Sequence, residues 1–316
     1  MDILSDVLAT LKLSGSLYFH TEFSAPYAVR VPQDRETVRF HLVVSGSCLV
    51  SVPGVAQPTA LASGDVIVIP HGAEQILADA PKRAPIDLAD AMRRAGFDGK
   101  GALRLGGGRA GIALAPSRLI CGFCRFDRGA RHALLASLPR QIVMRGQDAL
   151  AYPWLAEAIR AITYEALSDQ EGRQAMSDRL SEILFIQAVR VHARNADHGA
   201  GFFAGLADPV LGRALSAMHE APERDWTVES LARQAGASRS RFAQIFRDRV
   251  GLAPLAYLTD WRLQKARRLL VDTGLSVDEV AARVGYRSLP SFSRLFKRRY
   301  GVGPGGWRRS AIAEAA

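Results

Sequence analysis

Cysteine is scarce in this chain, with three in 316 residues, at Cys48, Cys121 and Cys124. So small and odd a set cannot form a disulfide framework, so the fold must rest on buried apolar surface. Long apolar runs are missing as well: none approaches the roughly 18 residues that cross a bilayer. Met1-Asp2-Ile3-Leu4-Ser5-Asp6 offers no basic stretch followed by an apolar one, so no secretion signal is read. A cytoplasmic protein without a membrane partner is the expectation. No Gly-x-Ser-x-Gly elbow, phosphate-binding loop or His-Glu-x-x-His pair occurs. Gly106-Gly107-Gly108 does not open a helix after a strand, so it is not a dinucleotide loop. No enzyme and no cofactor are expected.

What is present is unevenly distributed. The formal charge is +10, and from Gly205 onward there are 19 Lys and Arg against 11 Asp and Glu. The first 204 residues hold 22 against 20. A basic segment joined to a near-neutral one points to a polyanionic partner for the basic part alone. The length suits two domains.

The first stretch, Met1 to Leu13, reads as a short amphipathic helix, with Ile3, Leu4, Val7, Leu8 and Leu11 on one face. From Leu17 to Leu77 the texture is that of short β-branched strands such as Asp65-Val66-Ile67-Val68-Ile69, broken by Gly46, Pro53-Gly54 and Ser63-Gly64. A small antiparallel barrel or sandwich is expected. Ala78 to Arg109 reads as a surface excursion containing a helix from Asp87 to Ala95, and strands resume from Ile112 to Phe126. Two helices follow, Tyr152 to Ser168 and Gly172 to Arg194, the second with an apolar stripe through Leu180, Ile183, Leu184, Gln187 and Val191. They suit a hairpin packed on the barrel or on a second copy. Asn195 to Gly201 is the expected linker.

The C-terminal part repeats itself. Leu231-Ala232-Arg233-Gln234-Ala235-Gly236, Phe242, Phe246, Gly251 and Pro254 return as Val280-Ala281-Ala282-Arg283-Val284-Gly285, Phe292, Phe296, Gly301 and Pro304. One residue is inserted after the glycine. Each copy has the grammar of a helix-turn-helix: a small residue where helices cross, a glycine at the turn, then a second helix capped by Ser238 or Ser288. Phe242, Ile245, Phe246 and Val250 form the buried face of the first copy; Phe292, Leu295, Phe296 and Tyr300 form that of the second. The opposite faces are polar. Ser240, Gln244 and Arg294 are the candidates to read base edges. Arg239, Arg241, Arg247, Lys297, Arg298 and Arg299 are the candidates for the phosphate backbone. Residues 254–270 read as one stiff helix spacing the two units.

On these residues, from Pro209 to Trp307, the chain resembles the AraC/XylS family of bacterial regulators. Leu231-Ala232, Gly251-Leu252-Ala253-Pro254, Trp261-Arg262, Val284-Gly285-Tyr286 and Phe292-Ser293-Arg294-Leu295-Phe296-Lys297 carry the likeness. Pro290 departs from it, standing where a base-reading polar side chain is usual, and so does Gly305-Gly306-Trp307-Arg308, where the ending is usually bulkier. The N-terminal part resembles the cupin domain of a subgroup of this family through Phe40-His41-Leu42-Val43, Gly64-Asp65, Pro70-His71-Gly72, Ile120-Cys121-Gly122 and Leu134 to Pro139. The implied architecture is α+β: a cupin-like sensor and dimerisation barrel over residues 1–200, with a hairpin at about 150–194, and an all-α DNA-binding domain over 205–316. Its two helix-turn-helix units lie at about 227–250 and 276–300. The implied partners are double-stranded DNA, a small-molecule effector, RNA polymerase and a second copy of the chain.

A cupin barrel can hold a metal on histidines and a glutamate, but Gln75 occupies a usual ligand position and is a poor ligand. His41, His71 and Glu74 remain candidates for the effector, and a dioxygenase-like metalloenzyme is the rival reading. Cys121-Gly122-Phe123-Cys124 sits in a strand, where residues three apart point to opposite faces. A thiol redox sensor at Cys121 and Cys124 is therefore a lesser alternative.

Overall fold

A computed structural model describes residues 2–99, 101–106, 115–127, 129–148, 152–168, 170–195 and 199–315. Gly107-Gly108 of the glycine cluster and Ala196 to His198 of the expected linker lie outside the described residues. From the N-terminus run α1 (Ile3–Leu11), β1 (Leu13–Phe23), β2 (Ala28–Val31), β3 (Thr37–Ser45), β4 (Ser47–Ser51) and β5 (Thr59–Ala62). Next come β6 (Val66–Ile69), β7 (Gln75–Ala78), β8 (Ile86–Asp87), α2 (Leu88–Ala95), β9 (Ala102–Leu105), β10 (Ser117–Phe126), α3 (Ala133–Ala136) and β11 (Ile142–Met144). The helices α4 (Pro153–Leu167), α5 (Arg173–Asn195), α6 (Phe202–Ala207), α7 (Pro209–Glu220) and α8 (Val228–Ala235) follow. The last are α9 (Arg239–Val250), α10 (Pro254–Asp272), α11 (Val277–Arg283), α12 (Leu289–Tyr300) and α13 (Pro304–Ala315).

These elements form two compact units, each drawn from separate stretches of chain. The first takes Leu13–Phe126 and Leu138–Asn195. Its strands make two sheets, ordered β11-β6-β3-β10-β1-β9 and β5-β4-β7-β2-β8. The α+β expectation holds, but among the described residues no pairing closes the sheets into one barrel. The edge strands β5, β8, β9 and β11 have two to four residues, too short to carry the ladder round. Strand alternation sends Phe23, Val29, Val43, Val50, Ile67, Leu77, Leu119 and Cys121 into one core drawn from both sheets. The segment read as a surface excursion joins this unit, because β8 and β9 extend the sheets and Ala91 and Leu103 enter the core.

The α4–α5 hairpin covers the outer face of β1, β3 and β10. Its contact stripe is the expected one shifted to one side: Leu184 and Val191 are buried as expected, but Ile183 is 45% exposed, and Ser177, Ser181, Phe185 and Ala188 are buried beside them. The reason is close approach. A Cβ at Gly15 would come within 2.4 Å of the Asp178 carbonyl oxygen, so β1 meets α5 where both carry small residues.

The second unit takes Met1–Lys12, Asp127–Ser137 and Ala196–Ala316. It holds the seven helices expected from the repeat, α7 to α13, but α1, α3 and α6 belong to it too. Ile3, Val7 and Leu11 of α1 are buried, and α1 packs on α7 and α10. A buried polar chain ties these pieces together. His219 Nδ1 lies 3.0 Å from Asp6 Oδ2, His219 Nε2 lies 2.7 Å from the Tyr257 hydroxyl, and that hydroxyl lies 3.3 Å from His132 Nε2. The Leu134 amide donates to His132 Nδ1, so His132 is neutral there. Burial, reinforced by His219, pushes His132 down to about 3.

Candidate nucleic-acid interface

Each helix-turn-helix is built by local rules that differ between the copies only in detail. In copy one Thr227 and Ser230 form a capping box at the start of α8, and in copy two Ser276 and Glu279 do the same for α11. Leu231, Ala232, Val280 and Ala281 are buried at the helix crossings. Gly236 (φ 72°) and Gly285 (φ 86°) make the turns in the left-handed region. Gly285 is needed twice over, since a Cβ would also stand 2.6 Å from the Glu223 carbonyl oxygen. Ser288 caps α12 by accepting from the Ser291 amide. Ser238 holds the N-cap position of α9 in extended backbone, though its side chain makes no capping bond.

The second helices bury Phe242, Phe246 and Val250 in α9 and Phe292 and Phe296 in α12, with Ile245, Leu295 and Tyr300 half-buried. The ring pairs Phe242–Phe246 and Phe292–Phe296 have the same 5.6 Å centroid spacing. Opposite these rings the residues read as DNA contacts come to the surface: Arg239, Ser240, Arg241, Gln244 and Arg247 on α9, and Pro290, Arg294, Lys297 and Arg298 on α12. Arg241, Arg247, Lys297 and Arg298 have side chains without an ion pair or hydrogen bond among the described residues. Arg239 pairs with Glu229 at 2.6 Å, and Gln244 bonds Asp248. Arg299 is placed differently. It is three-quarters covered, pairs with Asp260 at 2.6 Å and donates to the Arg131 carbonyl, so it stands off the face that Lys297 and Arg298 share. Between the units α10 is one unbroken helix of 19 residues, about 28 Å long, with Tyr257, Leu258, Trp261, Leu263, Ala266 and Leu270 buried.

Two arginines escaped the sequence reading. Arg262 donates to the carbonyls of Pro222 (2.6 Å) and Arg224 (2.8 Å), clasping the loop that leads into α8. Arg308 donates to the carbonyls of Leu270 (2.8 Å) and Leu275, clasping the loop that leads into α11. The signal was available: each follows a buried tryptophan, as Trp261-Arg262 and Trp307-Arg308.

In the strand unit, His41, His71 and Glu74 are not brought together. His41 is fully buried, with Nδ1 3.1 Å from Cys121 Sγ, and burial next to Arg39 pushes its pKa down to about 3. His71 lies at the surface with Nε2 2.9 Å from the Leu138 carbonyl oxygen, and Glu74 lies 3.8 Å from Arg30. The inward-facing polar group is another set. Gln75 and Thr21 alternate in register with Leu77 and Phe23 of the core, as His41 does with Val43. Gln75 Oε1 and Nε2, Thr21 Oγ1 and His41 Nε2 are all buried without a partner among the described residues. Cys121 and Cys124 diverge as strand geometry requires: Cys121 faces the core and Cys124 donates to the Ser181 carbonyl under α5. Burial raises both thiols well above the ordinary cysteine range, which works against thiolate chemistry.

Known families match the two ends of the chain separately. A family described as a cupin matches residues 2–194, and one described as a helix-turn-helix domain matches residues 231–310. A putative AraC-like transcription regulator of Streptomyces lividans is 33% identical, over 98% of this chain and 98% of its own length. The transcriptional regulator AlkR of Acinetobacter baylyi is 31% identical, over 98% of this chain and all of its own length. Among solved structures, the DNA-binding domain of AdpA in complex with a target DNA is 36% identical, covering 34% of this chain and 96% of that one, with a TM-score of 0.33. The cupin match and the full-length relatives settle the family: the chain belongs to the AraC-like transcription regulators and binds DNA through its helix-turn-helix domain to regulate transcription.

Proposed function

We propose that this regulator reads two successive stretches of one DNA groove, with α9 and α12 as the reading helices. The observation that carries the reading is the repetition of one design: a Phe pair buried 5.6 Å apart and, opposite it, an exposed face of arginine, lysine, serine and glutamine. Ser240, Gln244 and Arg294 read base edges, because side chains near the start and middle of such a helix reach the groove floor. Arg239, Arg241, Arg247, Lys297 and Arg298 bind phosphates, with Arg299 the weakest candidate because Asp260 already holds it. Residues 205–316 carry this activity. It acts in the cytoplasm, with RNA polymerase as a further partner.

The cupin region, up to residue 200, senses a small-molecule effector rather than catalysing a reaction. Four buried polar atoms on Thr21, His41 and Gln75 face the interior between the sheets without a hydrogen-bond partner among the described residues, which favours an occupant there that supplies both donors and acceptors. His41 is the member of the original candidate set that belongs to this interior. The chain works as a homodimer, with the outer side of the α4–α5 hairpin as its contact, since Tyr164, Leu167, Met176 and Ile183 are exposed there.

Selection of full-length protein against random DNA at near-physiological salt tests the whole reading. Two enriched blocks about one helical turn apart support it. Enrichment of one block alone would remove the second unit from base reading, and no enrichment in any condition would sink it.

A further inference from the structure

Gln244 and Asp248 lie one turn apart on the exposed face of α9, and the Gln244 amide nitrogen donates to both Asp248 carboxylate oxygens, at 2.8 and 2.9 Å. A carboxylate only accepts, so chemistry fixes the amide's orientation: the nitrogen turns to Asp248 and Oε1 is left facing out. The carboxylate beside it adds further lone pairs. The pair therefore turns mainly acceptors outward, Oε1 and the carboxylate lone pairs, against the one amide N–H that Asp248 does not hold, whereas a lone glutamine has both N–H groups free. Asp248 makes no ion pair with Arg241, Arg247 or Arg249 of its own helix; among the described residues its partner is Gln244.

The repeat supplies the contrast. The spacing that relates Phe242 to Phe292 and Phe246 to Phe296 carries Gln244 onto Arg294 and Asp248 onto Arg298. One reading helix offers acceptors at the places where the other offers donors. We propose that Asp248 is a specificity-determining residue. By holding Gln244 as an acceptor, it makes α9 read a base amino group, adenine N6 or cytosine N4. It also makes α9 disfavour guanine and thymine, whose O6 and O4 would face the acceptors of the pair. The inference rests on the reading of Gln244 as a base-facing residue, and its counterpart is that α12, with Arg294 and Arg298, favours guanine.

The test is selection from random duplex DNA by full-length wild type, Asp248→Ala, Gln244→Ala and the double variant Gln244→Arg with Asp248→Arg. Both sites are exposed, and thermal unfolding checks that each variant folds. Wild type is expected to require adenine or cytosine at one position of the block read by α9. Asp248→Ala should relax that position by about tenfold, the scale of one good base contact, and leave the other positions alone. The double variant should convert the same position to guanine. The proposal is overturned if wild type prefers guanine or thymine there, or if Asp248→Ala only tightens binding to every sequence alike, the effect of deleting a negative charge near phosphate. If Gln244→Ala leaves the whole motif unchanged, the base-facing reading of Gln244 itself fails.

Discussion

Arg294 and Lys297 are both exposed on α12, one turn apart, yet their places along the helix suit them to different work. Arg294→Ala is expected to cost about 1–3 kcal/mol at the preferred site and to relax one base pair. Lys297→Ala should weaken all sequences alike and lower the salt slope by about one. Binding titrations at several salt concentrations on preferred and scrambled sites separate the two, and identical behaviour would refute the sorting. Glycines show how far one residue can be read in a sequence. The repeat marks Gly285 as a turn, and its φ of 86° agrees. Its second constraint, the Glu223 carbonyl, comes from 62 positions away and leaves no local trace. Gly285→Ala must therefore pay both strain and clash. A loss on the order of 1–3 kcal/mol is expected for the strained backbone alone, with Gly301→Ala, where a Cβ meets nothing within 4 Å, the milder control. Equal melting temperatures for the two variants would contradict this.

At the scale of elements, what was legible was what periodicity encodes. The helices at 153–167 and 88–95, the paired helix-turn-helix units and the long spacer all follow from spacing, caps and turn glycines. The buried side of α5 was read only in part because apolar residues alone were assumed to mark it. Leu184 and Val191 lie on it as expected, but it also takes in Ser177 and Ser181, where small size matters more than hydrophobicity. The arginine clasps were hidden for a related reason: an arginine in a basic domain looks like a DNA contact until its partners are known. Arg308 spans two carbonyls that no lysine could reach together, since its guanidinium offers donors from two nitrogens in a fixed plane. Arg308→Lys should leave one of those carbonyls unpaired and cost about 1–3 kcal/mol in stability. It should also weaken DNA binding through copy two while leaving the preference of copy one intact. Protection of the two half-blocks in footprinting checks the second part, and uniform loss over both blocks would speak against a local clasp.

The whole molecule was the least legible, because periodicity names the faces of a helix but not their partners. A division near residue 200 follows from composition, yet α1 and Asp127–Ser137 fold with the C-terminal helices. These segments bring Ile3, Val7, Leu11 and His132 into that unit's interior. Histidines buried neutral there predict a pH dependence. The folded pKa of His132 is about 3 and that of His219 is also lowered by burial against the opposing pull of Asp6. A depressed pKa contributes stability that is fully present above the unfolded value, near 6.5, and is lost as pH falls toward the folded value. Asp6 adds to the loss only lower down. Burial opposes its ionisation, but hydrogen bonds from His219 and Lys265 hold its carboxyl below 3.8, so its contribution disappears below about pH 4. The helical unit should therefore weaken progressively from pH 6.5 toward pH 4, with each buried histidine adding a slope of up to ~1.4 kcal/mol per pH unit. His132→Gln should be less stable than wild type at pH 7 and show a flatter pH profile. His41 lies in the other unit and its titration should be unaffected. Thermal unfolding of the full chain at a series of pH values measures both slopes. If His132→Gln lowered stability by the same amount at every pH, the histidine would be a packing group only, and the polar chain from Asp6 through Tyr257 would not be what makes this unit sensitive to acid.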